Sequence, residues 1–428
     1  MFPIKTSAYS NDVNSTFVYY VYLLLCLVLA GWQNQTQARE WFVSPQASSR
    51  LIFDTNYRLR SNLSTRDNLR TIKPKDTFGG VLSAGGIIGS RTENSDIHIR
   101  GNVAFNRFNI DNFNSTDFFL YPETWLTVSP RNKLGISGKL FLDRTLARER
   151  PEFIDSAPQD LDETDDLLGV PKRRFLKSVK PEWNHSLTEK TTLNLSYEFT
   201  DVTYEDAEST GRTDYLMHSG QLNLSHQLTS KTLLFSNTAT TLFSTPDIDS
   251  STIYYSLQAG IQHKFSERWE AEIVGGGRYS TSEFRDRNDH KDTSSGLGSL
   301  ASARVTHQYT TGSVNASIAQ DIRPTGNGDL QTTNQVAFSW NHQLTEHLSL
   351  NLPISALRAS AINADTNRLD RSYYQAAPAI SWKLTPEFSL GLRYRYRFQK
   401  YDNAENSADS HSAMLSANYH WQRLSLSR

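Results

Sequence analysis

Five histidines stand at the same step of a repeat about 40 residues long: His185, His226, His263, His307 and His342. Regularly spaced imidazoles raise the question of a metal centre, because neutral imidazole is a common ligand. Each histidine heads a similar block. The block reads His185-Ser186-Leu187-Thr188, His226-Gln227-Leu228-Thr229, His263-Lys264-Phe265-Ser266, His307-Gln308-Tyr309-Thr310 and His342-Gln343-Leu344-Thr345. It recurs as Trp382-Lys383-Leu384-Thr385 and, more weakly, as Leu126-Thr127-Val128-Ser129. Metal ligands must converge to about 2 Å from one ion. Rings on successive hairpins at one height of a wall, facing out with the apolar residues, radiate instead. The spacing therefore predicts neither metal nor cofactor. It assigns the five histidines, with Trp340, Trp382 and Trp421, to a girdle of rings at a membrane interface.

Such a girdle needs hairpins of constant height. In each block a ring lies two residues before an apolar side chain, and a small hydroxyl residue and a polar turn follow. That is the chemistry of a tight hairpin turn. Between the blocks, side chains alternate with period two. Phe388, Leu390, Leu392, Tyr394, Tyr396 and Phe398 fall on one face, and Ser389, Gly391, Arg393, Arg395 and Arg397 on the other. A helix would scatter both sets around its circumference, so strand is the reading. The pattern gives an all-β chain of about 18 strands, joined by short turns at one end and longer loops at the other. This is the form of a transmembrane antiparallel up-and-down barrel. A soluble sandwich would also alternate. Strands longer than the usual 5–6 residues, with rings near their ends, favour a membrane span of about 9–11 residues.

The chain has 428 residues, a net charge of −1 and one cysteine. The near-neutral balance points to neither a nucleic-acid nor an acidic-lipid partner. The one long apolar run, residues 17–30, contains Cys26 and is too short for a comfortable spanning helix. Residues 1–38 read as a secretory signal and 39–428 as the barrel. The barrel then has no disulfides and no thiolate ligands.

Charged residues on the polar face are expected to line a lumen: Arg393, Arg395, Arg397, Arg278, Arg304, Arg100 and Arg50, opposed by Glu270, Glu272 and Glu198. Such a lining orients polar solutes. The alternative is an interior plugged by salt-bridged side chains. Loop 147–173 carries eight carboxylates, Glu149 to Asp166, and reads as a constriction or a solvated surface loop. Gly-x-Ser-x-Gly, phosphate-loop and His-Glu-x-x-His motifs are absent, so no catalytic residue is assigned. His98 and His420 would face inward, without a carboxylate partner evident in the sequence.

A Trp41…Ser44-Pro45 opening, the repeated turns and the Arg393-Tyr394-Arg395-Tyr396 strand resemble a family of β-barrel porins. Some members of that family sit beside exopolysaccharide export genes. The resemblance implies a pore in the outer membrane of a Gram-negative bacterium, passing polar solutes by diffusion or export, with polysaccharide as one cargo. It also implies outer-membrane lipid, lipopolysaccharide, the barrel assembly machinery and periplasmic chaperones as partners. One departure is the end, Leu424-Ser425-Leu426-Ser427-Arg428, which lacks a final aromatic. The competing classes are a barrel hydrolase acting on lipid or peptide, and a non-conducting structural or adhesive barrel.

Overall fold

In five of the repeats the hydroxyl residue locks the turn. Thr188 Oγ1 accepts the backbone N–H of Lys190, Thr229 that of Lys231, Ser266 that of Arg268 and Thr345 that of His347, each at 3.2 Å. Thr385 does the same for Glu387 at 3.3 Å. A short side chain that satisfies the turn's own N–H leaves no donor unpaired where the strands reverse. The computed structural model describes residues 39–57, 59, 76–144, 173–205, 213–285, 291–324, 330–361, 370–402 and 407–427. Residues 1–38, most of the acidic loop 147–173 and most of the basic loop 58–75 lie outside the described residues.

The strands between these turns are β1 (Glu40–Asp54), β2 (Thr77–Arg91), β3 (Ser95–Phe108), β4 (Ser115–Ser129) and β5 (Asn132–Arg144). Next come β6 (Arg173–Ser186), β7 (Thr191–Tyr204), β8 (Tyr215–Thr229), β9 (Thr232–Thr245) and β10 (Ser250–Lys264). Then follow β11 (Trp269–Arg285), β12 (Lys291–Tyr309), β13 (Gly312–Pro324), β14 (Leu330–Gln343) and β15 (Leu348–Ala361). The last are β16 (Arg371–Ala376), β17 (Ala379–Lys383), β18 (Phe388–Tyr401), β19 (Ala408–His420) and β20 (Leu424–Ser427).

Two of the breaks fall within single staves. β16 and β17 flank Ala377 and Pro378, and both pair with β15 and β18 in unchanged register. Proline lacks the N–H that the ladder needs, so the stave is interrupted without being displaced. β19 and β20 both pair with β1, but Gln46 faces His420 while Val43 faces Leu424. The register has advanced by one residue, a bulge that turns Leu424 outward beside Val43. Twenty segments less two continuations give 18 staves. All neighbours run antiparallel, and β1 pairs with β2 on one side and β19 and β20 on the other. The chain is a closed barrel.

The two faces differ along the wall. Leu82, Leu195, Leu257, Ile273, Val336 and Leu392 are exposed on the outside. Their neighbours Ser83, Ser196, Ser256, Glu272, Gln335 and Arg393 point inward. A water-facing wall would not carry so continuous an apolar band.

The half of the lumen nearest the long loops is filled. Ile52, Val81, Ala104, Phe108, Phe113 and Met414 form one buried cluster with Tyr57. A second joins Phe141, Leu176, Val202, Tyr204, Tyr215 and Phe243, all on the inner faces of β5 to β9, to Ile322 of β13. Ile322 reaches them because β13 parts from β12. The two strands pair only from Tyr309↔Gly312 to Ala301↔Gln320, whereas β12 stays paired with β11 as far as Lys291 and β13 with β14 as far as Pro324. Nine pairs at about 3.4 Å, tilted by about 40°, rise roughly 23 Å, close to the height of an apolar band. Beyond that height the seam between β12 and β13 is open, and the end of the β13–β14 hairpin, still paired to β15 as far as Gln331↔Ala361, folds into the lumen. Arg278 of β11 ties it there, donating to Thr332 of β14 at 2.8 Å.

Closure depends on the C-terminal segment. Besides the β20 pairing, Trp421 N–H donates to the Pro45 carbonyl at 3.1 Å and Arg423 bonds Glu40 at 3.0 Å. Gln422 donates to Glu387 at 2.8 Å. That bond holds the Glu387 carboxyl below the usual carboxylate range, with its own backbone N–H and the Thr385 hydroxyl adding to the effect. Removing residues 421–428 leaves the Glu40–Val43 backbone unpaired at one edge. The truncated chain should give little of the compact, heat-modifiable band that folded barrels show on electrophoresis, while the full chain gives it readily.

Candidate functional site

The inner wall nearest the short turns is the part of the lumen left open, and amides line it. Asn194 donates to Asn184 at 2.8 Å, Asn223 to Asn194 at 3.0 Å, and Asn237 to Asn223. These four occupy facing positions on β6, β7, β8 and β9. Across the barrel, Asn351 bonds Asn341, and Thr306 donates to Asn315 at 2.9 Å. Asparagine carries both donor and acceptor on a short stem, so adjacent staves can share bonds and still offer polar atoms to water. Sequence reasoning missed this belt. Its signal was there in the inward Asn at the fourth position of β7 and sixth of β9, but uncharged residues drew no attention.

The charged residues expected in the lumen divide by height. Glu270, Glu272 and Arg304 lie on the open half, with Glu272 directly opposite Arg304. Glu270 accepts a bond from Gln262 and lies 3.9 Å from Lys264. Glu198 accepts the Ser178 hydroxyl at 2.9 Å, with Lys139 at 4.0 Å. Arg100 is exposed opposite Tyr121, and Arg393 and Arg50 are half-buried on inner faces. Arg278 serves the hairpin tether.

Arg395 and Arg397 face inward but are sealed, at 2% and 5% exposure. Arg397 Nη2 donates to Asp54 at 2.9 Å and to Ser410 and the Tyr57 carbonyl at 3.2 Å. Arg395 Nη2 lies 3.5 Å from Asp54, whose other oxygen takes the Ser410 hydroxyl at 2.6 Å and the Asn56 N–H at 2.9 Å. The charges of these two arginines are thus engaged within the filled half, not presented to solvent. Arg174 and Asp143 form a second buried pair, with bonds of 2.9 and 3.1 Å.

His98 has the carboxylates that the sequence did not reveal. Its Nδ1 is 3.3 Å from Asp96 and its Nε2 3.3 Å from Glu123. Trp125 Nε1 donates to Glu123 at 2.7 Å, and Arg91 to Asp96 at 2.6 Å. The β3–β4 register, His98↔Glu123, brings Glu123 to the ring, and the β2–β3 register, Arg91↔Asp96, brings Arg91 to Asp96. Among the described residues no hydroxyl is bonded to His98 as a nucleophile would be, and no three side chains converge as a metal site.

The five repeat histidines sit on the outer face, each tied to the neighbouring hairpin. His185 Nδ1 is 2.8 Å from Asn132, and its ring lies 5.3 Å from Trp183. Thr191 and Thr232, which follow the turns, contact His226 and His263 at 2.9 Å. His307 stacks on Trp269 at 4.1 Å. His342 is 3.1 Å from the Tyr309 hydroxyl, which also accepts Trp340 Nε1 at 2.7 Å. Trp382 is exposed beside Ile380, and Trp421 meets Tyr419 edge-on at 4.5 Å.

No family model matches the chain, and no curated protein matches it. Among solved structures it is similar to a BenF-like porin from Pseudomonas fluorescens Pf-5, at 10% identity, covering 90% of this chain and 99% of that one, with TM-score 0.48. It is also similar to Pseudomonas aeruginosa OpdK with vanillate, at 10% identity, 89% and 99% coverage and TM-score 0.46. The FrpB iron transporter from Neisseria meningitidis gives 10% identity, 89% and 82% coverage and TM-score 0.44. None of these three names an exopolysaccharide.

Asp54 holds the sealed half together. Asp54→Asn leaves two buried guanidinium groups short of a counter-charge, a loss of about 3–5 kcal/mol by analogy with other broken buried pairs. The variant should lose its heat-modifiable fold at a clearly lower temperature or urea concentration than the parent.

Proposed function

We propose that the chain is an outer-membrane channel that passes small polar solutes by passive diffusion. One observation carries this reading: a closed 18-stave wall whose outside is apolar on successive staves and whose inside is lined by amides and charges. Lipid satisfies the first surface and water the second. The rings at the short-turn end mark one membrane boundary. Outer-membrane lipid, lipopolysaccharide, the assembly machinery and periplasmic chaperones are the partners that such a location requires.

The inward-lying β13–β14 hairpin sets the size limit. It favours small solutes over a polymer chain, so exopolysaccharide export would need the hairpin to move aside. Glu198, Glu270 and Glu272 are offset on the inner wall by Arg304, Arg50, Arg100 and Arg393, and this mix of signs argues against strong charge selection. Purified protein in a planar bilayer should therefore conduct with only a small reversal potential in a salt gradient. Arg278→Ala together with Thr332→Ala removes the tether and should raise single-channel conductance. Silence of both proteins at every voltage would contradict the channel reading and favour a closed scaffold.

A further inference from the structure

Above the apolar band, at the long-loop end, three arginines gather on the outer face of β3, β5 and β6. Arg144 and Arg173 are a directly opposed pair on adjacent strands. Their partners on the other face, Asp143 and Arg174, form the buried ion pair, so Arg144 and Arg173 point away from the lumen. Arg107 lies two residues beyond Phe105, which is exposed on the outside and faces Thr116. Like charges directly opposite on a sheet destabilise it. Here no described carboxylate forms an ion pair with Arg144 or Arg173, although Glu205 follows β7 beside Arg173, its N–H donating to the Arg173 carbonyl at 2.9 Å.

The donors of these arginines are held by carbonyls only. Arg107 Nη1 donates to the carbonyls of Asn106 at 2.8 Å and Ser115 at 3.1 Å, and Arg144 Nη1 to that of Asn112 at 2.8 Å. Among the described residues no carboxylate pairs with Arg107, Arg144 or Arg173. Other exposed arginines behave differently: Arg358 pairs with Asp402 at 3.4 Å, Arg91 with Asp96 at 2.6 Å and Arg423 with Glu40 at 3.0 Å. The three share a cavity of about 430 Å³ with Asn114 and Thr116. Asp117 at its back is turned inward and takes the Asn106 amide at 2.7 Å.

We propose that Arg107, Arg144 and Arg173 form a site on the outer wall for the phosphate group of a membrane lipid. Guanidinium groups match phosphate oxygens in both geometry and charge. The site's position decides the source of the phosphate. Phe105, Phe118 and Leu142 lie on the outer face just toward the membrane centre, where acyl chains of the same lipid would pack. A free anion would have no use for that apolar floor. The inference rests on the outer face meeting lipid, as the proposed function has it, and not on conduction, so a silent channel leaves it standing.

The test is native mass spectrometry of the purified, detergent-solubilised full protein. It is offered bisphosphorylated lipid A, the dephosphorylated glycolipid, or inorganic phosphate. The parent protein should retain the bisphosphorylated form at least tenfold better than the dephosphorylated one. Arg144→Gln with Arg173→Gln should abolish that preference, Arg144→Lys with Arg173→Lys should keep much of it, and Arg358→Gln should leave it unchanged. Equal retention of both glycolipids by the parent protein overturns the proposal without any variant. So does inorganic phosphate that displaces the lipid at equal concentration, since that describes a site for free anions.

Discussion

Backbone hydrogen bonding is the constraint from which the rest of this molecule follows. A strand in hydrocarbon has no water to satisfy its N–H and C=O groups, and each orphan costs several kcal/mol. A sheet escapes only by closing on itself. Here closure falls to β1, whose far edge is completed in two steps by β19 and then β20. The one-residue bulge between them keeps Leu424 on the apolar side, so closure and face alternation are satisfied together. Where β12 and β13 part, they do so only after a paired stretch of about the height of the apolar band.

Once closed, the wall has an inside, and its contents differ along the axis. Near the long loops, aromatic and aliphatic clusters, two buried ion pairs and the displaced hairpin fill the space. Near the short turns, amides and mixed charges line it. This arrangement places rigidity and restriction at one end and solvation at the other. The buried pairs are best understood as fastening: Asp54 joins β1 to β18 and β19, and Asp143 joins β5 to β6. Their cost in desolvation is offset by several directed hydrogen bonds each.

The sequence made the strands legible because period-two alternation is a local property. Phe388 to Phe398 could be assigned without knowing any partner. The turn residues were equally local, since Thr188 or Ser266 bonds a backbone group two residues away. What escaped notice was what register decides. His98 meets Glu123 only through the β3–β4 pairing, and Asp54 meets Arg397 across 343 residues. Arg395 and Arg397 have the inward phase that alternation assigns, but phase does not tell a sealed interior from an open one. The strands rich in Ser, Thr and Ala gave the weakest pattern, and β12 and β13 are where the wall divides. Pro378 interrupts a stave that alternation alone reads as continuous, and the ladder on either side keeps one register.

The central claim is that adjacent side chains on one stave face different solvents. It is most directly tested by single-cysteine scanning from Ile261 to Ile273, in a chain whose only native cysteine, Cys26, is replaced. In vesicles, a water-soluble maleimide should label positions 262, 270 and 272 quickly, and positions 261, 271 and 273 slowly. A bilayer-embedded quencher should reach fluorophores in the reverse order. Labelling that rises or falls smoothly along each of the two strands, β10 and β11, without period two, would contradict the account.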